Sequence, residues 1–138
     1  MTDKISGGCL CGDIRFECDP SKLMGGAICH CTDCQTVSGG GPAVVIACPD
    51  DAFELLQGSP KGFTVKGDSG SDVTRKFCAN CGTPVFSQLA VAPGLKIIKV
   101  GTFDDSSFFE PQMTVWTSAA PPWAHISQDI PAFEKAPG

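Results

Sequence analysis

Seven of the nine cysteines in this chain lie in three closely spaced groups. The groups are Cys9 and Cys11, then Cys29, Cys31 and Cys34, and finally Cys78 and Cys81. Thiolates two or three residues apart can converge on one tetrahedral ion, with Zn–S bonds of about 2.3 Å. Seven thiolates are one fewer than two closed tetrahedral sites require. If four of them close one site, the other three hold a metal with one position free for a substrate.

The first and last groups have complementary ligand spacing. If Cys9 and Cys11 lie in an extended strand, their i, i+2 spacing places both sulfurs on the same face. Cys78 and Cys81 belong to a Cys-x-x-Cys-Gly sequence that resembles a zinc knuckle, in which Gly82 tolerates the positive φ that closes the turn. We therefore expect these four thiols to form one closed structural site.

The middle group lies in the sequence Cys-His-Cys-Thr-Asp-Cys, residues 29–34. If the segment begins extended, Cys29 and Cys31 point one way and His30 the other, so we expect His30 outside the ligand set. His125 could close the site from a loop, although an ordinary partly buried histidine explains it equally well. A redox Cys-x-x-Cys motif at Cys31 and Cys34 is another alternative, but the chain lacks the βαβ pattern that accompanies such motifs.

The elements that position these cysteines are mostly short strands. Sixteen Gly and eleven Pro leave no stretch for a long helix. The alternation of Ile14, Phe16 and Cys18 with charged residues predicts one strand. The other predicted strands cover residues 43–48, 53–56, 63–66, 73–77, 84–88, 95–100 and 113–117. We predict a mainly β fold and a single domain over residues 1–138.

One short helical turn is predicted after the middle cysteine motif. Thr32 and Gln35 have the three-residue spacing of a capping box, and the glycines at 39–41 end the turn. The turn changes the direction of the backbone between Cys31 and Cys34. Their thiols can then face one point.

Charge and composition exclude several classes of partner. Fifteen acidic and ten basic residues give a net charge of −5, and the longest basic run is Arg75-Lys76, so nucleic acid is not an expected partner. The longest apolar run, residues 43–48, is too short to span a membrane, and the first four residues lack a signal pattern. We expect a cytoplasmic protein without a membrane partner.

In a reducing compartment, dense cysteine groups are typical of metal sites rather than disulfides. Zinc is the expected ion, and an iron–sulfur cluster is the alternative for a site made only of cysteines. Cys18 and Cys48 lie outside the groups on apolar strand faces, where we expect them to pack as small hydrophobic residues.

The ordered motifs resemble those of a known family. They lie at residues 7–12, 29–34, 77–82 and 116–123. From about residue 5 to residue 134, the chain resembles the glutathione-dependent formaldehyde-activating enzyme family, which also includes centromere protein V. The resemblance implies a β-tent of short antiparallel sheets around two zinc ions. It also implies a structural zinc at Cys9, Cys11, Cys78 and Cys81, and a catalytic zinc at Cys29, Cys31 and Cys34.

The activity that the resemblance implies is the reversible addition of glutathione to formaldehyde, a carbon–sulfur lyase reaction on a small thiol and an aldehyde. Three thiolates on Zn²⁺ give a net charge of −1, which disfavours hydrolysis but keeps an added thiol deprotonated and nucleophilic. Donors are then needed for the developing alkoxide. Ser38, His30 and the backbone of residues 39–41 are the candidates.

The alternative function is a non-catalytic zinc module that binds a protein partner or the thiol adduct. Trp116, Trp123 and residues 119–122 could then form an exposed recognition patch, although we expect at least one tryptophan to be packed. Basic side chains could bind the substrate carboxylates, but nothing in the sequence favours one candidate over the others. The candidates are Lys22, Lys61, Arg75 and Lys96.

Overall fold

The computed structural model describes residues 3–67 and 69–136. Its strands are β1 (Ile5–Gly8), β2 (Arg15–Cys18), β3 (Met24–Cys29), β4 (Ala43–Pro49), β5 (Phe53–Gln57), β6 (Lys61–Lys66), β7 (Asp72–Phe77), β8 (Pro84–Leu89), β9 (Leu95–Lys99) and β10 (Met113–Val115). The helix α1 spans Thr32–Ser38, and short 3₁₀ turns cover Pro20–Lys22, Asp50–Ala52, Val100–Thr102 and Thr117–Ala119. The mainly β fold and the short helix are confirmed.

The strands form a small sheet and a large one. The small sheet has the order β1-β2-β5, and the large sheet has the order β10-β3-β4-β9-β8-β7-β6. Neighbouring strands are antiparallel except β10 and β3, which pair in parallel. Within the described residues, no helix is long and apolar enough to cross a membrane.

Aromatic side chains join the two sheets. Phe16 of β2 stacks on Phe53 of β5 with ring centroids 5.1 Å apart, and Phe53 meets Phe86 of β8 edge-on at 5.5 Å. Phe16 is completely buried, and burying such a side chain stabilises the fold by about 1.5–3 kcal/mol. Cys18 and Cys48 are also completely buried in this core, which confirms the expectation that they pack.

Two strands, β1 and β3, do not follow from the sequence pattern. The sequence of β3 is Met-Gly-Gly-Ala-Ile-Cys, in which consecutive glycines hide any alternation of apolar residues. A Cβ atom at Gly26 would lie 2.7 Å from Cε1 of Phe109. Close approach of another segment therefore selects glycine there, against its weak strand preference.

Two predicted strands end earlier than expected. The strand predicted over 95–100 ends at Lys99, and the one predicted over 113–117 ends at Val115. In both cases a 3₁₀ turn begins within the next two residues, so the chain leaves the sheet while its sequence is still rich in strand-forming residues.

Candidate metal centres and the adjoining cavity

The structure brings together the four sulfurs of the first and last cysteine groups. The Sγ atoms of Cys9, Cys11, Cys78 and Cys81 all lie within 4.8 Å of one another. The distance from Cys11 Sγ is 3.6 Å to Cys9 Sγ and 3.7 Å to Cys78 Sγ. A tetrahedral ion with 2.3 Å bonds requires sulfurs about 3.8 Å apart. This group, which we call the four-thiol group, could therefore hold a metal ion.

A tight turn, rather than an extended strand, carries Cys9 and Cys11. The N–H of Gly12 donates to the carbonyl of Cys9 at 3.2 Å, and Gly12 has a φ of 85°. The chain reverses here between β1 and β2, so the expectation of an extended segment is wrong. The N–H of Ile14 donates to Cys9 Sγ at 3.2 Å, a contact that favours the thiolate form of Cys9.

The segment from Cys78 to Gly82 forms a similar turn, as its sequence predicts. The N–H of Gly82 donates to the carbonyl of Cys78 at 2.9 Å, and Gly82 has a φ of 80°. The N–H of Cys81 donates to Cys78 Sγ at 3.4 Å. Both halves of the four-thiol group thus combine a glycine in the left-handed region with an N–H donated to the first sulfur.

Thr83 joins the two halves, and sequence reasoning misses it. Its Oγ1 accepts a hydrogen bond from the N–H of Leu10 at 3.1 Å and lies 3.1 Å from Cys81 Sγ. Hydrogen bonding from Thr83 lowers the pKa of Cys81 to about 5. A thiol with this pKa is largely deprotonated at neutral pH, which is the form that binds metal. The position of Thr83 next to the knuckle glycine is the one signal that could have indicated this role.

The middle cysteines also converge. Cys29 ends β3, Cys31 precedes α1 and Cys34 lies in its first turn, and their three sulfurs are within 4.8 Å of one another. The N–H of Cys34 donates to Cys31 Sγ at 3.3 Å. The cap of α1 is therefore the Cys31 sulfur, and the predicted capping box at Thr32 and Gln35 is wrong. We call these cysteines the three-thiol group, and it too could hold a metal ion.

The Gln35 side chain bonds to two backbone carbonyls instead of forming the predicted capping box. Its Nε2 donates to the carbonyl of His30 at 2.8 Å and to the carbonyl of Ala119 at 2.9 Å. One amide group therefore fixes the start of α1 to the segment after β10. The helix ends at Gly39, with a φ of 91°, as predicted.

Charge is unevenly distributed within the three-thiol group. Hydrogen bonds from Cys29 and then Cys31 lower the pKa of Cys34 to about 3, and the positive charges of Lys99 and Arg75 act in the same direction. Hydrogen bonding with Cys31 and Cys34 raises the pKa of Cys29. Hydrogen bonding within the group and the positive charges of Lys99 and Arg75 therefore favour a thiolate there, which is the form that binds a metal cation.

Neither histidine belongs to the three-thiol group. His30 is 1 % exposed, burial lowers the pKa of its imidazole, and its Nε2 has no hydrogen-bond partner within the described residues. His125 is exposed to solvent. Across residues 3–67 and 69–136, no histidine, carboxylate or further thiol joins the three sulfurs as a fourth ligand. The arrangement agrees with the expectation for His30 and gives no support to closure by His125.

A cavity of about 280 Å³ lies beside Cys34. It is lined by Cys34, Val37, Ser38, Pro42, Ala43, Val44, Thr83, Pro84, Lys99, Gly101 and Thr102. Lys99 and Cys34 are the ionisable side chains in this lining. The cavity therefore offers a mostly apolar space that is bordered by Cys34 and Lys99.

Several of the expected alkoxide donors are engaged elsewhere. Ser38 Oγ donates to the carbonyls of Gln35 and Gly41. The N–H groups of Gly39 and Gly40 both donate to the carbonyl of Gln35, at 3.1 and 2.8 Å. Ser38 and these two N–H groups consequently serve the end of α1, which agrees with the prediction that the glycines end the helix.

Cross-strand pairing shows which side chains share a face with Cys29. Cys29 pairs with Ala43 of β4, and Lys99 of β9 pairs with Val45 of the same β4 strand. Because Ala43 and Val45 are two residues apart, Cys29 and Lys99 point to the same face of the large sheet. Lys99 belongs to no motif, so the sequence does not single it out.

Arg75 lies on that face as well. It pairs with Ser87 of β8, and Ser87 pairs with Ile97, two residues before Lys99. Side chains that are paired or two residues apart point the same way. Two cations, Arg75 and Lys99, therefore share a sheet face with the three-thiol group.

A family model described as glutathione-dependent formaldehyde-activating enzyme matches residues 4–119 of this chain. The chain belongs to this family. A search of curated proteins found no match. Among solved structures, a Rhodobacter sphaeroides protein determined as a Northeast Structural Genomics target matches with a TM-score of 0.57 and 17 % sequence identity, covering 72 % of this chain and 88 % of that one. That likeness supports the fold.

In this member of the glutathione-dependent formaldehyde-activating family, the described residues could hold two metal ions in two different kinds of site. The four-thiol group offers four ligands at the spacing of a tetrahedral ion, whereas the three-thiol group offers three and adjoins a cavity. Membership of the family supports glutathione and formaldehyde chemistry at the family level. A metal ion in the four-thiol group would have a complete set of ligands, whereas one in the three-thiol group would have room for a further ligand.

Proposed function

We propose that this protein catalyses the reversible addition of a small thiol, glutathione in the first instance, to formaldehyde. The product is an S-hydroxymethyl thiol, and the reverse reaction is that of a carbon–sulfur lyase. The observation that carries the proposal is the three-thiol group, which gains no fourth ligand from the described residues and whose Cys34 lines a cavity of about 280 Å³. Family membership points in the same direction. We treat residues 1–138 as one domain for this activity.

The proposal includes two zinc ions. Cys9, Cys11, Cys78 and Cys81 would hold a structural ion, and Cys29, Cys31 and Cys34 would hold a catalytic ion. Bound by three thiolates, zinc would supply a fourth position that keeps an added thiol deprotonated and nucleophilic at neutral pH.

The protein's own part in the reaction is to position the sulfurs and the substrate. The end of β3 and the start of α1 fix the three sulfurs, and apolar side chains such as Val37 and Pro42 line the cavity beside them. In the forward direction the substrate sulfur forms a bond to the carbonyl carbon, and the π electrons of the C=O bond move to oxygen. The thiol loses its S–H proton to solvent when it becomes the thiolate, and the alkoxide oxygen takes one proton from solvent to give the hydroxymethyl group, so no net proton is gained or lost.

Exchange between free glutathione and S-hydroxymethylglutathione, measured by NMR exchange spectroscopy, tests the proposal. The uncatalysed reaction sets the baseline. Zinc-loaded protein is expected to raise the exchange rate, and Cys34→Ala is expected to return it to the baseline while holding one zinc fewer. Cys48→Ala, which removes a buried thiol outside both groups, serves as control. Equal rates with buffer, the unmodified protein and both variants would refute the activity.

A module that binds the adduct or a protein partner is the second candidate function. Trp123 favours it, because this side chain is 72 % exposed and a Cβ atom at Gly40 would lie 3.9 Å from its ring. Trp116 is half-buried. An exposed aromatic ring beside the glycine loop after α1 could contact a partner. Binding of the adduct without faster exchange would favour the module over the enzyme.

A further inference from the structure

We propose that Lys99 selects the substrate thiol by binding a carboxylate that the thiol carries, with Arg75 adding positive potential behind it. This inference rests on the proposed function, since the thiol sulfur is taken to lie at the three-thiol group. It names the substrate class as thiols with a carboxylate several bonds from sulfur, in preference to neutral or cationic thiols.

The first argument is position. Lys99 lines the cavity that also contains Cys34, and its side chain points to the same sheet face as Cys29. The hydroxyl of Thr102 donates to the backbone carbonyl of Lys99 at 2.7 Å, which fixes the chain where β9 ends. A half-buried lysine on a fixed backbone loses less conformational freedom on binding than a lysine on a mobile loop.

The second argument is that, among the described residues, no carboxylate pairs with Lys99 or Arg75, so the thiolates of the three-thiol group are the negative charges that act on them. The ion pairs among residues 3–67 and 69–136 are Arg15 with Asp104, Lys66 with Asp72, and Lys96 with Asp50. Neither Lys99 nor Arg75 takes part in them. The Nε of Arg75 is buried and has no hydrogen-bond partner in the described part of the chain. Arg75 does not line the cavity, so it contributes positive potential to a bound anion rather than a direct contact.

The third argument is that the Lys99 side chain forms no hydrogen bond with the three sulfurs among the described residues, although the charges of Lys99 and the three cysteines influence one another. The ammonium group therefore stands beyond the immediate ligand contacts. A substrate whose sulfur reaches the three-thiol group therefore needs a second, anionic group to contact Lys99 in the same cavity. A carboxylate at the far end of the thiol satisfies both requirements.

The inference can be tested by binding, without measuring activity. Thiols shift the visible absorption of Co²⁺ held by thiolates when they enter its ligand sphere, so titration of the full-length cobalt-substituted protein gives an apparent Kd. The probes are 3-mercaptopropionate, 2-mercaptoethanol and cysteamine, which carry negative, zero and positive charge away from sulfur. Comparing each variant with the unmodified protein for the same thiol cancels differences in thiol basicity.

Lys99→Met is expected to weaken 3-mercaptopropionate binding about tenfold, the effect of losing one partly buried ion pair, and to change 2-mercaptoethanol binding less than about twofold. Cysteamine binding is expected to stay equal or improve. Lys99→Arg should retain most of the preference. Lys96→Met is the matched control, because Lys96 lies on the same strand and is already paired with Asp50 at 2.8 Å.

Equal losses for all three thiols in Lys99→Met would overturn the inference, since Lys99 would then act on the metal centre rather than on the carboxylate. If Lys99→Met binds too little cobalt to be titrated, the inference is tested instead by the salt dependence of thiol binding to the unmodified protein. Its preference for 3-mercaptopropionate over 2-mercaptoethanol must fall with rising ionic strength, and no preference or no salt dependence overturns the inference. An unmodified protein whose spectrum responds to none of the thiols refutes the proposed function itself, a result distinct from loss of selectivity alone.

Discussion

The backbone N–H of Leu10 donates a hydrogen bond to Thr83 Oγ1 at 3.1 Å, across 73 positions of sequence. This contact joins the two halves of the four-thiol group through protein atoms alone. The same hydroxyl lies 3.1 Å from Cys81 Sγ, so one side chain serves both the fold and the ionisation of a ligand.

Replacing Thr83 by valine should therefore weaken the four-thiol group in two ways. Loss of the hydrogen bond is expected to destabilise the protein by about 1 kcal/mol. The pKa of Cys81, about 5 with Thr83 present, should rise toward its ordinary value, so protons displace the metal at a higher pH. Metal release to a chromogenic chelator, followed as the pH is lowered, measures this shift.

Thr83→Ser is the control, because it keeps the hydroxyl and should release metal at the same pH as the unmodified protein. If Thr83→Val also released metal at that pH, the proposed role of the Thr83 hydroxyl would be contradicted.

Gly82 and Gly41 offer a matched test of backbone strain. A Cβ atom would meet nothing within 4 Å at either position, but Gly82 has a φ of 80° whereas no φ in the left-handed region occurs at Gly41. Gly82→Ala should lower the free energy of unfolding by about 1–2 kcal/mol. Gly41→Ala should leave it unchanged or raise it slightly. Urea unfolding of the metal-loaded proteins measures both, and equal effects would show that the knuckle tolerates another backbone conformation.

The two thiol groups should respond differently to loss of one ligand. Cys78→Ala removes a ligand that joins separate strands, so we expect a large fall in the unfolding temperature, because structural zinc contributes on the order of 10 kcal/mol in small zinc domains. Cys34→Ala should remove one metal ion and leave most of the unfolding temperature intact. Metal analysis combined with calorimetry distinguishes the cases. Equal destabilisation by the two variants would indicate that both sites are structural.

Arg15 and Asp104 provide a pH-dependent prediction away from the thiols. Arg15 Nη1 donates to Asp104 Oδ1 at 3.0 Å, and this interaction lowers the pKa of Asp104. A carboxylate whose pKa is lower in the folded state stabilises the protein above its unfolded pKa of about 3.9. That stabilisation disappears as the pH falls through the lower folded value.

Asp104→Asn should consequently destabilise the protein at pH 7 by less than about 1 kcal/mol, because the pair is largely exposed to solvent. The difference between Asp104→Asn and the unmodified protein should vanish in strong acid. Urea unfolding of both proteins at a series of pH values measures that difference, and metal loss common to both cancels. A difference that persists below the folded pKa would assign the effect to packing rather than charge.

The parts of the site that the sequence predicts are those defined by local spacing. Cys78, Cys81 and Gly82 are close enough in sequence for their turn to follow from residue type, and the grouping of the seven thiols follows from the same spacing. Thr83 and Lys99 could not be predicted in this way. Their roles depend on which segments meet, Thr83 through a contact with Leu10 and Lys99 through the register of β9 against β4.

Predictions from local residue preferences also failed at the start of α1 and in β3. Capping preferences favour Thr32 over cysteine, yet the Cys31 sulfur accepts the N–H of Cys34 because it already faces the start of α1. The strand β3 escaped prediction because Gly26 makes room for Phe109. In both cases a tertiary contact overrides the preference of the residue for its local structure.

Cys11 and Cys78 are 67 positions apart, and their sulfurs lie 3.7 Å from each other. A metal ion in the four-thiol group would tie the intervening chain into a ring, and the three-thiol group, α1 and the six strands from β2 to β7 all lie inside that ring. Closing a loop of this length removes about 4 kcal/mol of conformational freedom from the unfolded chain. The two sites are therefore nested: release of the outer ion opens the ring around the inner site, whereas release of the inner ion leaves the ring closed.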